Sequence, residues 1–552
     1  MSDAAITEAE SDADKQGFVQ KALDGIEKVG DKVPHPAIIF LLLCLIVIVL
    51  SHVFYLFDVH VTYDKVVNDP VPAQVDYEGG TYEPSLTVDP EAVHSDDHYH
   101  VEQETTAVRS LLSADGVRFL FTSTVSNFNN FGVVGVILVA MVGVGVAEQA
   151  GLIAALIRKL VKVAPPWSIT FIIVLLGLLS SIASDAGYLV LIPLGAAAFY
   201  SLKRHPFAGL AAAYAGVSAG FAVNLLITPF DGVLTEITNE AIHLVDPNRS
   251  INLTANFYFS AGSTLFLAVV MTFVTEKIIE KRLGTYDGEG DVDTEVEAPA
   301  DEARGLRWAG YALLGVVAFI ALLSVPSGAP LRNPDTGSLI NDSPLMAGLI
   351  FLIMLLFLAM GLAFGRGAGT LTGSVDVINA IVKTFAGLSG LIFLLLIIAQ
   401  FIAYFNFSNM ATVAAVKMAD VLERANIGAL WLLVGFILVT FVLNLIIPGI
   451  MPKWAIFAPV FVPLFLRLNV APQTVLAAYR IGDSPTNVIT PLMVYLPFIA
   501  MVCQKYKKDA GVGTVVSLML PYTVVVAVTW TAFFVIWYLI GIPMGPGAPV
   551  GL

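Results

Sequence analysis

Two apolar stretches, residues 168–200 and 429–467, are each too long for one membrane crossing, and each is broken near its middle by polar and helix-breaking residues. The first break reads Ser180-Ser181-Ile182-Ala183-Ser184-Asp185-Ala186-Gly187. The second reads Asn444-Leu445-Ile446-Ile447-Pro448-Gly449-Ile450-Met451-Pro452-Lys453-Trp454. A crossing takes about 20 apolar residues, because the hydrocarbon is roughly 30 Å thick. Backbone that leaves the helix at that depth must be buried in protein or line a wet cavity. A soluble globule is excluded on composition. The 552 residues are 57% apolar and 13% charged, whereas an average soluble chain is about 25% charged. Lipid is therefore the solvent for most of the chain.

Nine uncomplicated spans are expected at 35–57, 131–157, 206–228, 258–280, 306–325, 343–364, 380–406, 474–502 and 513–541. The two broken stretches read as re-entrant hairpins, which enter and leave on one side. For 168–200 the alternative, two full spans, leaves each slightly under the usual minimum of about 17 residues; for 429–467 two full spans fit better, so length leaves both readings open. With both stretches as hairpins, the basic clusters Arg158/Lys159/Lys162, Lys203/Arg204, Lys277/Lys281/Arg282 and Lys505/Lys507/Lys508 all fall on the cytoplasmic side, whereas 168–200 as one crossing would put one of them outside. The expected organisation runs from a cytoplasmic segment 1–34 to a first helix 35–57, retained rather than cleaved. An acidic extracytoplasmic segment 58–113 follows, then a first half 114–282 containing hairpin 168–200. An acidic cytoplasmic linker 283–304, a second half 305–541 containing hairpin 429–467, and a tail 542–552 complete the chain. His94, His98 and His100 read as a solvated loop, since nothing fixes them as metal ligands.

The segments after the two breaks resemble each other. Pro193, Ala212-Ala213-Tyr214, Gly220, Asn224 and Thr228-Pro229 recur in order as Pro459, Ala477-Ala478-Tyr479, Gly482, Asn487 and Thr490-Pro491. The topology gives the copies opposite orientation. Inverted repeats with discontinuous helices are how many secondary transporters build a midplane site, with half-helix N-termini facing an anionic substrate and carbonyl or amide oxygens holding a cation. Asn224 and Asn487 are amides of that kind.

Charges at depth point to the same place, because each costs at least about 2.5–3.5 kcal/mol on insertion scales. They are Glu148, Asp185, Lys453, Arg480 and Asp483. Arg480 offers a planar fork to a carboxylate; the alternative is an Arg480–Asp483 pair that neutralises itself. Asp185 is either functional or a cap for the second half-helix. Trp454 either contacts substrate or belongs to an interfacial belt, Lys453 can snorkel, and Glu148 reads as structural.

The tracts 180–188 (Ser-Ser-Ile-Ala-Ser-Asp-Ala-Gly-Tyr), 215–226 (Ala-Gly-Val-Ser-Ala-Gly-Phe-Ala-Val-Asn-Leu-Leu) and 479–493 (Tyr-Arg-Ile-Gly-Asp-Ser-Pro-Thr-Asn-Val-Ile-Thr-Pro-Leu-Met) resemble the p-aminobenzoyl-glutamate transporter (AbgT) family. The resemblance runs from about residue 30 to 541. It implies an all-α, multi-pass inner-membrane homodimer with nine transmembrane helices and two re-entrant hairpins. It also implies ion-driven uptake of p-aminobenzoyl-glutamate, or antiport that exports sulfonamides or p-aminobenzoate. By the same resemblance Asp185, Trp454, Arg480, Asp483 and Pro491 are functional, with Asn444 and Asp483 as the cation-associated pair. One departure is Met451, which stands where the family usually has a serine before the tip tryptophan.

The expectation is an ion-coupled transporter of a small aromatic carboxylate, with a short organic anion as the alternative substrate. Arg480 would take the carboxylate and Trp454 would stack on the ring. No cofactor is expected beyond a sodium ion or proton as coupling ion, and the partners are substrate, bilayer and a second copy. The net charge of −15 is the wrong sign for nucleic acid. Cys44 and Cys503 sit in apolar runs and supply no disulfide framework. A channel would share the spans but conduct without saturation. No GxSxG or HExxH motif supports a hydrolase, and a primary pump lacks its P-loop.

Overall fold

The computed structural model describes residues 36–68, 99–182, 187–286, 301–340, 343–424, 428–445, 447, 449–490 and 492–552. Among them, seven helices are long and apolar enough to cross a membrane: Pro36–Leu56, Phe257–Leu283, Glu302–Ser324, Leu349–Ala368, Ser374–Phe407, Ile450–Arg467 and Val512–Ile540. An eighth crossing is the pair Val133–Gln149 and Leu152–Val163, bent by 56° at Gly151, whose φ of 90° lies in the left-handed region that glycine enters without steric cost.

The two expected spans nearest the site are not continuous. Residues 206–228 form Pro206–Tyr214 and a π-helical turn Ala215–Ala219, then leave the helix; a second helix, Pro229–His243, follows. Its start is set by a reciprocal cap. Thr228 Oγ1 accepts from Asp231 N, and Asp231 Oδ2 accepts from Thr228 N at 2.7 Å, with Pro229 inside the first turn. Residues 474–502 likewise divide into Pro472–Asp483, a 3₁₀ turn Pro485–Val488 and Leu496–Gln504. Here the Ser484-Pro485 step removes a backbone donor and stops the helix.

Each broken helix packs on the broken apolar stretch preceding it. Ile169–Ile182 and Gly187–Ser201 are both in the 10–17 residue class, and Ile169–Leu179 lies so close to the first broken helix that a Cβ on Gly177 would sit 2.7 Å from Gly216. In the second copy, Ala429–Asn444 lies against Pro472–Asp483, and a Cβ on Gly482 would sit 2.5 Å from Thr440. The repeat in sequence thus recurs as a repeat of contacts built on small residues, which let membrane helices approach closely. A separate cluster joins Val146, Ala147, Phe364 and Ala309, again over glycines: Gly361 against Ala147 and Gly367 against Gly305.

Three of the basic clusters gather at one end. Arg204 pairs with Glu280 at 2.8 Å, Tyr286 Oη donates to Tyr506 O at 3.0 Å, and the Tyr200 ring meets both Tyr286 and Tyr506. His205 caps Pro206–Tyr214 through an Nδ1 that accepts from Phe207 N. Burial pushes that imidazole below the usual histidine range, although Glu280 pulls the other way, and the neutral ring keeps a nitrogen lone pair for the cap.

The segment 58–113 holds an element the apolar pattern did not announce. His60–Asn68 and Tyr99–Ala107 pair as a two-stranded antiparallel ribbon, from His60 opposite Ala107 to Asn68 opposite Tyr99. His94 and His98 lie outside the described residues.

Candidate functional site

Two helices run out at one buried point. Ala429–Asn444 ends on Asn444, Pro472–Asp483 ends on Asp483, and the two residues are 0% and 1% exposed. Helix C-termini carry partial negative charge and free carbonyls. Asn444 Nδ2 reaches Asp483 O, Thr486 Oγ1 at 2.7 Å and Asn487 Oδ1 at 2.8 Å. The charge here is balanced by Lys453. Its Nζ lies 2.7 Å from Asp483 Oδ1 and donates to Asn444 Oδ1, and the side chain is 1% exposed. It does not snorkel. A buried ion pair of this kind is held by geometry and extra hydrogen bonds against a desolvation penalty of several kcal/mol per ion.

Arg480 is paired elsewhere than with Asp483, its neighbour one turn on. Its NH1 lies 2.8 Å from Asp231 Oδ1 and donates to Ala222 O at 2.7 Å, so the second broken helix grips the break of the first. Ser484 Oγ accepts from Ala222 N at 3.2 Å and adds a second tie. Arg480 is buried, and its Nε has no hydrogen-bond partner among the described residues. Arg480 and Asp231 line a small cavity with Ser181, Asn224, Phe221 and Phe230. The cavity has room for about one water molecule.

Asn224, expected among the cation candidates, ties the first break together. Its Nδ2 lies within 3.2 Å of Leu178 O, Leu179 O and Ser181 Oγ, and its Oδ1 accepts from Leu226 N. Trp454 is fully buried, against the Tyr479 ring at 4.6 Å. Its Nε1 donates to Thr238 Oγ1 at 3.0 Å, which holds the indole on Pro229–His243. Met451 is half-buried in the same core. Asp185 and Pro491 lie outside the described residues.

The residue the sequence reading missed is Asp231. Its signal was Thr228-Pro229-Phe230-Asp231, a helix-start pattern inside what read as the end of one span.

The family model of the AbgT putative transporter family matches residues 21–552. The chain belongs to the AbgT transporter family. A curated relative, the p-aminobenzoyl-glutamate transport protein of Escherichia coli K12, is 32% identical over 523 residues, covering 95% of each chain. Two solved structures are similar throughout. The Alcanivorax borkumensis YdaH transporter has a TM-score of 0.83 at 37% identity, covering 93% of this chain and 100% of its own. Neisseria gonorrhoeae MtrF, described as illuminating a class of antimetabolite efflux pumps, has a TM-score of 0.81 at 39% identity, covering 96% of this chain and 100% of its own. This AbgT member is thus a multi-pass membrane transporter, placed in the inner membrane by its kinship with the E. coli protein.

Proposed function

We propose that this AbgT member is a cation-coupled secondary transporter of a small aromatic carboxylate such as p-aminobenzoyl-glutamate, with Arg480 binding the carboxylate. The observation that carries this reading is the half-used guanidinium. Arg480 is buried with NH1 engaged and Nε unpartnered. An unmade hydrogen bond on a buried charged donor costs about 1–3 kcal/mol or more. An incoming carboxylate supplies the missing acceptor. Asp231 keeps Thr228 on its Oδ2 while it shares or yields the arginine. Phe221 and Phe230, packed edge to face at 5.3 Å, line the cavity and offer the substrate ring an apolar wall.

An oxygen-rich position of the kind that holds a coupling cation lies at Asn444, Asp483 and Asn487, where two helix C-termini converge, and the Lys453 ammonium occupies it. The contracted cavity cannot hold such a substrate, so loading requires the two broken stretches to part, as alternating access demands. The chain works as a homodimer in this reading.

The test is flux of p-aminobenzoyl-glutamate and of a sulfonamide in proteoliposomes, each under separate sodium and proton gradients. Saturable, gradient-dependent movement that is lost in Arg480→Lys is expected. Non-saturating conduction, or unchanged flux in that variant, overturns the reading.

A further inference from the structure

The joint between Asn444 and Asp483 is built as a trap for a positive charge. Two helices end on it, so their negative dipole ends and last carbonyls face it. The side chains add an amide oxygen and a carboxylate, both buried. Discontinuous transporter helices present this arrangement to a diffusible cation.

Here the position is taken by the chain itself. Lys453 Nζ lies 2.7 Å from Asp483 Oδ1 and donates to Asn444 Oδ1. Three further oxygens are engaged by the amide, since Asn444 Nδ2 reaches Asp483 O, Thr486 Oγ1 and Asn487 Oδ1. A metal cation needs bare oxygen ligands, and these residues do not fit one while the ammonium is in place.

The lysine has no local reason to be there. It sits in the first turn of Ile450–Arg467, the positive end of that helix, where a cation is disfavoured. A long side chain near a helix end ordinarily reaches for the water interface, yet this one is 1% exposed. Its site is explained by the oxygens it meets.

We infer that Lys453 is a tethered cation, standing where a sodium ion would otherwise bind, and that this residue makes the joint independent of sodium. The inference rests on the transporter reading for the joint's role, but its test contains no substrate. Sodium and ammonium carry the same charge. The ammonium adds three directional donors and cannot leave the protein, so residue 453 sets which ion the joint accepts.

The experiment is binding of radiolabelled sodium to the full chain purified in detergent. The wild type is expected to show no saturable binding. Lys453→Ala, which uncovers Asp483 and Asn444, is expected to gain it and to be stabilised on heating by sodium but not by choline. Lys453→Ala combined with Asp483→Asn is expected to lose the gain. Where Lys453→Ala does not fold, Lys453→Ser keeps a hydroxyl in the cage and is expected to show the same gain. Saturable wild-type binding that disappears in Asp483→Asn overturns the inference, as does a folded Lys453 variant that binds no sodium. Neither result depends on which carboxylate the transporter carries, so failure of the substrate assignment leaves this test standing.

Discussion

The first and second joints share an architecture and differ in chemistry. In both, an apolar helix ends against a broken helix across a glycine contact, Gly177 with Gly216 in one copy and Gly482 with Thr440 in the other. In both, an asparagine closes the break. At the first joint Asn224 spends its amide on Leu178 O, Leu179 O and Ser181, and among the described residues no charge touches it. At the second, Asn444 meets a buried lysine and a buried aspartate. The break in the first copy is closed by Asn224 and reached from outside by Arg480, which donates to Ala222 O and pairs with Asp231. That in the second needs a cation to be stable at all. The repeat duplicates a backbone geometry but not the ionic chemistry: the second break holds its own Lys453–Asp483 pair, and the first shares a pair with it through Asp231 and Arg480.

This contrast predicts a graded set of responses. Asp483→Ala leaves the Lys453 ammonium buried and unpaired, so a loss of about 3–5 kcal/mol is expected. Thermal melting in detergent measures it, and Lys453→Met combined with Asp483→Leu should restore most of the loss. Equal damage from the single and double changes would break the comparison. Gly216→Ala and Gly482→Ala should each cost about 1–3 kcal/mol by overpacking, because both joints use the same close approach. A large cost at one and none at the other would show that the geometry is not shared. Asn224→Ala should cost about 1–3 kcal/mol from orphaned carbonyls and leave any response to sodium or substrate as it was. Thr238→Val removes one partner of Trp454 Nε1, with Leu234 O remaining at 3.3 Å. A loss of about 1 kcal/mol is expected, the smallest of the set.

Much of this arrangement was legible in the chain before any coordinates. The broken stretches, the repeated Ala-Ala-Tyr and Asn landmarks, and the polar tract around Asp483 all announced themselves, because helix breakers and charges are conspicuous in hydrocarbon. Pairing was not legible. Arg480 and Asp483 are three apart on one helix and a mutual pair was the alternative to a carboxylate clamp, yet the fold turns Arg480 toward Asp231 of the other repeat and gives Asp483 to Lys453. Arg480 and Asp231 lie 249 residues apart and Asp483 and Lys453 30 apart, and partners at such separations depend on how the elements dock, which no local spacing records. The helix Pro229–His243 was hidden for a related reason. It lies inside protein rather than lipid, so its mixture of Thr, Glu and Asn looked like loop. The ribbon from His60 to Ala107 escaped because its strands bear no strong alternation and are separated by the acidic insert.

The central claim is that Arg480, reaching the first break from the second broken helix, takes the substrate carboxylate, while Asn224 supplies shape. Equilibrium binding of p-aminobenzoyl-glutamate to purified protein tests it most directly, with Arg480→Lys and Asn224→Ala compared at matched folded fraction. Arg480→Lys should weaken binding by about tenfold or more, equivalent to about 1.4 kcal/mol, while Asn224→Ala stays close to wild type. Undiminished binding by Arg480→Lys, or its loss in a folded Asn224→Ala, would contradict the account.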